Sequence, residues 1–353
     1  MTLHHKVIYS HFSLYTCCVG VPIFTRVPFT RGVKNETGRG VTANMLGLGP
    51  SDSGFESRRP DYNMKLVTHE GSFHLDDLFA VATITLLYPD IEIVRTRDAS
   101  KFGDADFVVD VGDICDPATN RFDHHQHGGA GVRENGVPYA SFGLVWKKYG
   151  KMVSGEERIA DLVDKKMVQP IDAADNGFNM YRETKPGLSP YLLDNAFKAL
   201  TPTWRDPETV DDTFANLLPL AQEILRREIK KAQYFFEDTE IVKEAYRVAE
   251  DKRIIVLEHP MAWKSVISRK REPVYVIHPN QMTGEWIVAC VRKSPQSHEN
   301  RKLLPKAWAG KRGKELEQAT GVQGAEACHN KRFIATAWTR EAAIKLAQLA
   351  LQA

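Results

Sequence analysis

A chain of 353 residues is long enough for two domains or one large one, and 42% apolar with 26% charged residues is the composition of a globular protein with a buried core. Its 47 basic residues nearly balance 45 acidic ones, so overall charge cannot recruit a polyanion and any nucleic-acid affinity has to come from a local patch. No uncharged apolar run reaches the roughly 20 residues that a bilayer-spanning helix needs, so no membrane partner is expected.

Residues 1–63 read as an extension. The segment from Val7 to Phe29 is moderately apolar, but Ser10, His11, Ser13, Thr25 and Arg26 interrupt it, and the first acid is Glu36. That acid-poor composition also fits an organelle transit peptide. From Thr37 to Pro60 the chain is rich in Gly, Ser and Arg without periodicity, which favours a disordered or mis-started extension with Met64 as the true start. The cysteines Cys17, Cys18, Cys115, Cys290 and Cys328 are odd in number and lack metal-type spacing. They read as reduced thiols of an intracellular, cytoplasmic protein.

From Met64 strands alternate with helices. Lys65–Thr68 is a short strand. His74–Tyr88 is a helix with Leu75, Leu78, Phe79, Ala82, Ile84 and Leu86 on an apolar face, stopped by Pro89. Ile91–Arg95 is a β-branched strand, and Phe107–Val111 is an apolar run suited to a buried parallel strand. Tyr139–Tyr149 and Glu156–Ala174 read as helices. The stretch Trp204–Glu208 between Pro202 and Pro207 breaks the pattern, and Asp211–Phe236 follows as a long amphipathic helix. Ile254–Leu257, Pro273–His278 and Trp286–Val291 are strand-like, and Thr339–Leu351 is a terminal helix. The reading is therefore α/β: an N-terminal parallel-sheet domain over 64–205, a helical connector over 206–249, and a smaller C-terminal α/β domain over 250–353.

Three clusters carry chemistry. In Thr68-His69-Glu-Gly-Ser-Phe-His74-Leu-Asp76-Asp77 a strand delivers His69 at its carboxyl end, and His74 and Asp76 open the next helix. Ligands of parallel sheets gather at that edge. In Val109-Asp110-Val111-Gly112 an acid interrupts an apolar strand, and a buried carboxylate is costly unless it sits at the strand's edge or on a metal. Arg121-Phe122-Asp123-His124-His125-Gln126-His127 adds imidazoles and another carboxylate. Such a mixed nitrogen and oxygen set suits Mn²⁺, Zn²⁺ or Fe²⁺ better than Ca²⁺ or Mg²⁺. Taken singly, each residue has an ordinary structural use: His74 as a helix cap, Asp76 as a dipole partner, His127 with its glycines as a turn. Nothing structural asks for all of them at successive strand ends. Glu70, Asp77 and His127 read as solvated or outer residues.

Asp123-His124-His125 after a strand-borne Asp110 and an earlier His-x4-His-x-Asp motif resembles the DHH phosphoesterase superfamily. With Ile171-Asp-Ala-Ala-Asp-Asn-Gly177 the ordered motifs look like one branch of it, the Myg-one exonuclease family, from about Met64 to the C-terminus and more weakly after residue 250. The resemblance implies two divalent ions, Mn in first place, with Mg, Co, Fe or Zn as other occupants. His69, His74 and Asp110 are implied to hold one ion; Asp76, Asp110 and His124 the other, with Asp110 bridging. A further acid is implied from the helix that ends Asp172-Ala-Ala-Asp175, where both carboxylates share a face; Asp175 is favoured and Asp172 stays open. His125 is implied to meet the phosphate or act as an acid, and Asp123 to orient an imidazole.

The resemblance also implies that the C-terminal domain grips substrate. Between Arg292 and Lys314 the cations Arg292, Lys293, Arg301, Lys302, Lys306, Lys311, Arg312 and Lys314 face one acid, Glu299, with Trp308 interleaved. This suits phosphates and a stacking platform, and equally a solvated loop. His259, Trp263, Ser268 and Arg269 lie in a segment whose family counterpart faces the site. Where the family tends to a Gly-Gly-His-like turn, this chain reads Cys328 to Trp338, with His329, Lys331 and Arg332 as possible compensation around Ala335–Ala337. Three readings follow: a 3′→5′ exonuclease on RNA or short single strands; a phosphoesterase for dinucleotides, nucleotides or pyrophosphate; and a metal-binding regulatory protein without turnover.

Overall fold

The computed structural model describes residues 63–353 apart from 179 and 183, so the expectations for the N-terminal extension lie outside the described residues. The first strands and helices are β1 (Lys65–Thr68), α1 (Leu75–Leu87), β2 (Glu92–Arg95), β3 (Phe107–Val109), β4 (Cys115–Asp116) and β5 (Arg121–Phe122). They form a sheet in the order β2-β1-β3-β5-β4, parallel except for the edge pair β4/β5. β3 ends two residues earlier than its apolar run suggests. Asp110 takes a left-handed backbone with φ 57°, which no strand continues through.

α1 is buried nearly all round, from Leu75 to Thr85. It packs against the sheet, and α2 (Ser141–Ser154) and α6 (Val210–Val248) pack against it. Leu78, Phe79, Phe107, Phe122, Phe142, Phe214 and Leu225 meet in this core. Each contributes about 1.5–3 kcal/mol of transfer free energy. Truncating the fully buried Phe79 to alanine would cost about 3–5 kcal/mol. A smaller cluster of Val67, Val108 and Val111 closes the other face of the sheet.

The single helix expected over Glu156–Ala174 is three pieces: α3 (Glu157–Val163), a π turn over Asp164–Val168, and α4 (Gln169–Asp175). Pro170 lacks an N–H and cannot extend a regular ladder, and the wider turn precedes it. A short α5 (Leu193–Lys198) follows. α6 runs 39 residues, well past the Phe236 at which its apolar stripe fades, because only Val242 is buried beyond Ala232. Thr209 and Asp212 form its capping box. No helix among the described residues is long and apolar enough to cross a membrane.

The second sheet is built from β6 (Ile254–Val256), β7 (Tyr275–Pro279), β8 (Trp286–Cys290), β9 (Ala325–Cys328) and β10 (Ile334–Ala337), with α7 (Lys264–Ile267), α8 (Gly313–Thr320) and α9 (Arg340–Gln352) around it. Its order is β6-β7-β8-β10-β9, and only β6/β7 are parallel. The segment read as a substrate turn, Ala335–Ala337, is instead part of β10, with Ala335 and Ala337 buried. Both α/β units of the sequence reading are present as sheets flanked by helices.

Candidate metal centre

Three neighbouring parallel strands deliver the site. His69 follows β1, Asp110 follows β3, and Asp123, His124 and His125 follow β5, all at carboxyl ends. The left-handed Asp110 turns its carboxylate from the strand's line into the cluster, a strained backbone that the surrounding structure must hold. Gly112 makes the following turn at φ 97°, where a Cβ would meet the Phe102 ring at 3.2 Å. His74 caps α1 and Asp76 lies in its first turn.

Asp110 spans the cluster. Its Oδ2 lies 3.4 Å from His69 Nε2, and its Oδ1 lies 3.5 Å from His124 Nε2. Ser141 Oγ donates to the same Oδ1 at 2.9 Å. His124 Nε2 also lies 3.1 Å from Asp175 Oδ2 and 4.0 Å from Asp76 Oδ2. His74 Nδ1 lies 3.7 Å from Asp175 Oδ1. Donor atoms in three overlapping groups fall within 4.8 Å of one another: His69, His74 and Asp110; Asp110, His124 and His125; and Asp76, His124 and Asp175.

Two observations fit a cation here. His69 Nδ1 sits 3.1 Å from the Glu70 carbonyl, so it carries a hydrogen, and Nε2 then faces Asp110 and Asp77, each at 3.4 Å. Two carboxylates on one ring nitrogen call for a proton or a metal ion there, and the same carboxylates raise the imidazole's affinity for a proton against the opposing effect of burial. His124 Nε2 and Asp77 Oδ2 are buried with no hydrogen-bond partner. Burial, then the charges of Asp110 and Asp175, holds Asp76 well above the carboxylate range. Burial pushes Asp77 up to about 7, against the pull of His69. Burial opposes protonation of His124, yet the facing carboxylates of Asp110 and Asp175 outweigh it and push the imidazole up to about 11. Asp110 is opposed by burial too, but the imidazoles of His124 and His69 hold it well below its usual range. Excess buried negative charge beside imidazole nitrogens is a donor set for divalent ions.

His125 is held differently. Its Nδ1 lies 2.7 Å from Asp123 Oδ1, which also accepts the N–H groups of His124 and His125 at 2.7 and 3.1 Å. Asp123 Oδ2 accepts from the Asp113 N–H at 2.7 Å. Asp123 is thus spent on orientation, and its buried carboxylate does not line the cavity. That cavity, of about 710 Å³, is lined by His74, Asp76, His124, His125 and Asp175 among others, with buried His69 and Asp110 behind them.

Asp172 is a correction to the ligand set. Its Oδ1 accepts the Gly143 N–H at 2.9 Å and its Oδ2 pairs with Arg133 Nη1 at 2.7 Å. Among the described residues it belongs to no donor group, whereas Asp175, one turn further on, belongs to one. Trp308 is a second correction: at 4% exposure it lies in the core of the second sheet with Leu304 and Leu316 and has no ring face for a base. None of His259, Arg269, Arg292, Lys293, Trp308, His329, Lys331 and Arg332 lines the cavity. Lys293 pairs with Glu299 at 2.5 Å, Arg332 Nη1 donates to the Leu304 carbonyl, and His259 lines a separate cavity beside α6 and α9.

Sequence reasoning missed Asp77, Ser141 and Arg133. Asp77 accepts the His74 N–H at 2.7 Å through one oxygen and turns the other to His69. Its signal was the three-residue spacing from His74, which is that of a capping box. Asp76 is doubly used: its two oxygens accept the N–H groups of Ser141 and Phe142 at 2.9 and 2.7 Å and so cap α2, whose own N-cap is an alanine.

Fold and site together define a mixed α/β protein with an acid–imidazole cluster, a candidate metal centre, at the carboxyl edge of a parallel sheet. The family described as MYG1_exonuc, uncharacterised protein family UPF0160, matches residues 65–351, and the chain belongs to it. The chain is 32% identical to MYG1 exonuclease of Mus musculus, over 92% of this chain and 95% of that protein. It is 32% identical to MYG1 exonuclease of Homo sapiens, over 81% and 85%. A MYG1 protein of Dictyostelium discoideum is 29% identical over 81% and 95%. No solved structure matches the chain.

Proposed function

We propose that this chain is a metal-dependent phosphodiester hydrolase of the DHH phosphoesterase type, acting as a 3′→5′ exonuclease on RNA or short single-stranded nucleic acid with two ions, Mn²⁺ in first place. The observation that carries the reading is Asp110, one carboxylate whose two oxygens face His69 and His124 on either side. His69, His74 and Asp110 would hold one ion; Asp76, Asp110, His124 and Asp175 the other. The names of the mammalian relatives support the exonuclease activity.

When bound, the ions supply an activated water and neutralise phosphoryl oxygens. The chain's own residues do the rest. Asp123 fixes the His125 ring through Nδ1, which leaves Nε2 to hold a proton for a phosphoryl oxygen or the leaving oxygen. His125 is 54% exposed in its side chain and lines the cavity, as such a role requires. Ser141 and the first N–H groups of α2 fix Asp110 and Asp76, so the ligands do not reorganise during turnover.

A second reading, a phosphoesterase for dinucleotides or smaller phosphoesters, draws on the 710 Å³ cavity, which is the size of a small-molecule site. One assay separates the readings: Mn²⁺-dependent product release from an end-labelled RNA oligomer, a dinucleotide and pyrophosphate, side by side. A ladder of oligomer products supports the exonuclease. Cleavage of the dinucleotide alone selects the second reading. No product from any substrate, with metal bound, refutes hydrolysis and leaves a regulatory protein.

A further inference from the structure

The cavity of the acid–imidazole cluster has another wall of different character. Met180, Leu192 and Leu193 line it, together with the cations Lys166 and Lys198. Met180 is 45%, Leu192 37% and Leu193 41% exposed. Two exposed rings adjoin these residues in sequence, outside the lining of the cavity itself. Phe178, between the lining residues Asn176 and Met180, is 50% exposed, and Tyr191, directly before Leu192, is 74% exposed. Tyr191 is not loose: its hydroxyl donates to the Asn195 carbonyl at 3.2 Å, while the Leu192 N–H donates to Asn195 Oδ1 at 2.8 Å. Lys198 pairs with Asp194 at 2.8 Å across the exposed face of α5, and Lys166 stands on the π turn with its ammonium 5.4 Å from the Phe235 ring.

Exposed rings and aliphatic side chains flanked by ammonium groups match one ligand chemistry well. Bases stack on flat apolar faces, and phosphates meet the cations. Stacking on a protein ring needs a base face that no neighbour covers, which selects a single strand over a duplex. A protein partner seated on this wall would close the cavity that the cluster opens into, whereas a threaded strand leaves its end inside.

We propose that Phe178 and Tyr191, with the Met180, Leu192 and Leu193 shelf, stack the bases of a single-stranded nucleic acid while Lys166 and Lys198 meet its phosphates. The strand's end is thereby presented to His74, Asp76, His124 and Asp175. This places strand binding in the segment from Lys166 to Lys198 and takes it away from the basic run of the second sheet. It rests on the hydrolase reading only for what happens to the strand once bound.

The test is fluorescence anisotropy of a labelled oligouridine of about 12 nucleotides with the full chain in EDTA, so that binding is read without turnover. Replacing both rings, Phe178→Ala with Tyr191→Ala, is expected to weaken binding about 10-fold or more. Tyr191→Phe keeps the ring and is expected to bind like the wild type. Lys166→Gln with Lys198→Gln is expected to reduce the slope of log affinity against log salt by about 1–2. A bromouridine oligomer cross-linked to the wild-type chain and mapped by mass spectrometry gives a second reading that needs no variant, with cross-links expected on the peptides holding Phe178 or Tyr191. Ring variants that bind within twofold of the wild type overturn the proposal, as does a wild type that binds no oligouridine, or cross-links confined to the basic run between Arg292 and Lys314. A change in sedimentation on removing the rings, with oligouridine affinity unchanged, also overturns it and assigns the wall to a second copy of the chain. Ring-dependent binding by a chain that cleaves nothing when loaded with Mn²⁺ sinks the hydrolase reading and leaves strand binding standing.

Discussion

Replacing Gly143 by alanine tests how the first turn of α2 is joined to the metal centre. A Cβ at this position would lie 1.8 Å from Asp172 Oδ2, 2.7 Å from its Cγ and 2.7 Å from Arg133 Nη2. Neither neighbour can swing aside into solvent, because their side chains are 0% and 7% exposed and paired at 2.7 Å. Relief requires Asp172 to leave, with loss of the Gly143 N–H bond at 2.9 Å and of the Arg133 pair. Breaking a buried ion pair costs about 3–5 kcal/mol, and overpacking alone about 1–3 kcal/mol. Burial already pushes Asp172 up to about 7 despite Arg133, so protonation of the displaced carboxyl recovers part of the loss. The expected cost is about 3 kcal/mol, a fall in Tm of about 6–12 °C. The assay is thermal melting of the chelated protein by circular dichroism. Gly155→Ala is the control. Its φ of 83° makes it strained but nothing lies within 4 Å of the new Cβ, so it should cost about 1–2 kcal/mol. Because Ser141 and Phe142 precede Gly143 and bond Asp110 and Asp76, metal affinity should fall as well. A Gly143→Ala protein that melts no lower than the Gly155→Ala control refutes the reasoning.

Metal uptake should release at least one proton at pH 7, since the His124 imidazole, raised to about 11 in the metal-free chain, must give up its proton to a cation, and Asp76, held well above the carboxylate range by burial, adds to the release; calorimetric heats that do not vary between buffers of different ionisation enthalpy exclude this. In the chelated protein the same imidazole adds stability that is complete below its unfolded value near 6.5 and disappears as pH climbs through about 11. Asp110→Asn should lower turnover by about 10³-fold or more while the far-ultraviolet spectrum stays that of the wild type, and retention of most activity would remove Asp110 from the mechanism. Burial pushes the thiols of Cys290 and Cys328 up to about 12 and 11, so both should resist alkylation at pH 8 in the native chain and react on unfolding; peptide mass spectrometry showing rapid native labelling would contradict their placement.

Much of the centre was legible because each part is written locally. A strand followed at once by His69, Asp110 or Asp123-His124-His125 places those side chains at one sheet edge whatever the rest of the chain does. The parallel sheet and the terminal helix were legible for the same reason: apolar runs and periodicity are short-range signals. The misses depend on distance in sequence. Asp172 and Asp175 share a helical face, and what separates them is Arg133, far upstream and without any pattern to announce it. Trp308 stands among lysines in the sequence, but its ring is claimed by Leu304 and Leu316 in a core that composition does not reveal. β9 (Ala-Glu-Ala-Cys) and β10 (Ile-Ala-Thr-Ala) are half alanine, too small to mark a strand, so nothing there overruled the turn that the family resemblance implied. Asp77 looked like a solvent-facing acid beside Asp76, because no amphipathic stripe marks a helix that is buried on every side.

Asp76 joins two tasks that many proteins keep apart, steadying the start of α2 and facing the imidazole of His124. A change at this carboxylate therefore disturbs an architectural joint and the acid–imidazole cluster together, and a shift of the first turn of α2 reaches the cluster through it. Substitutions in the first turn of that helix are the ones to watch in natural variants, because its Ser141 and Phe142 N–H groups are held by the carboxylate that faces His124.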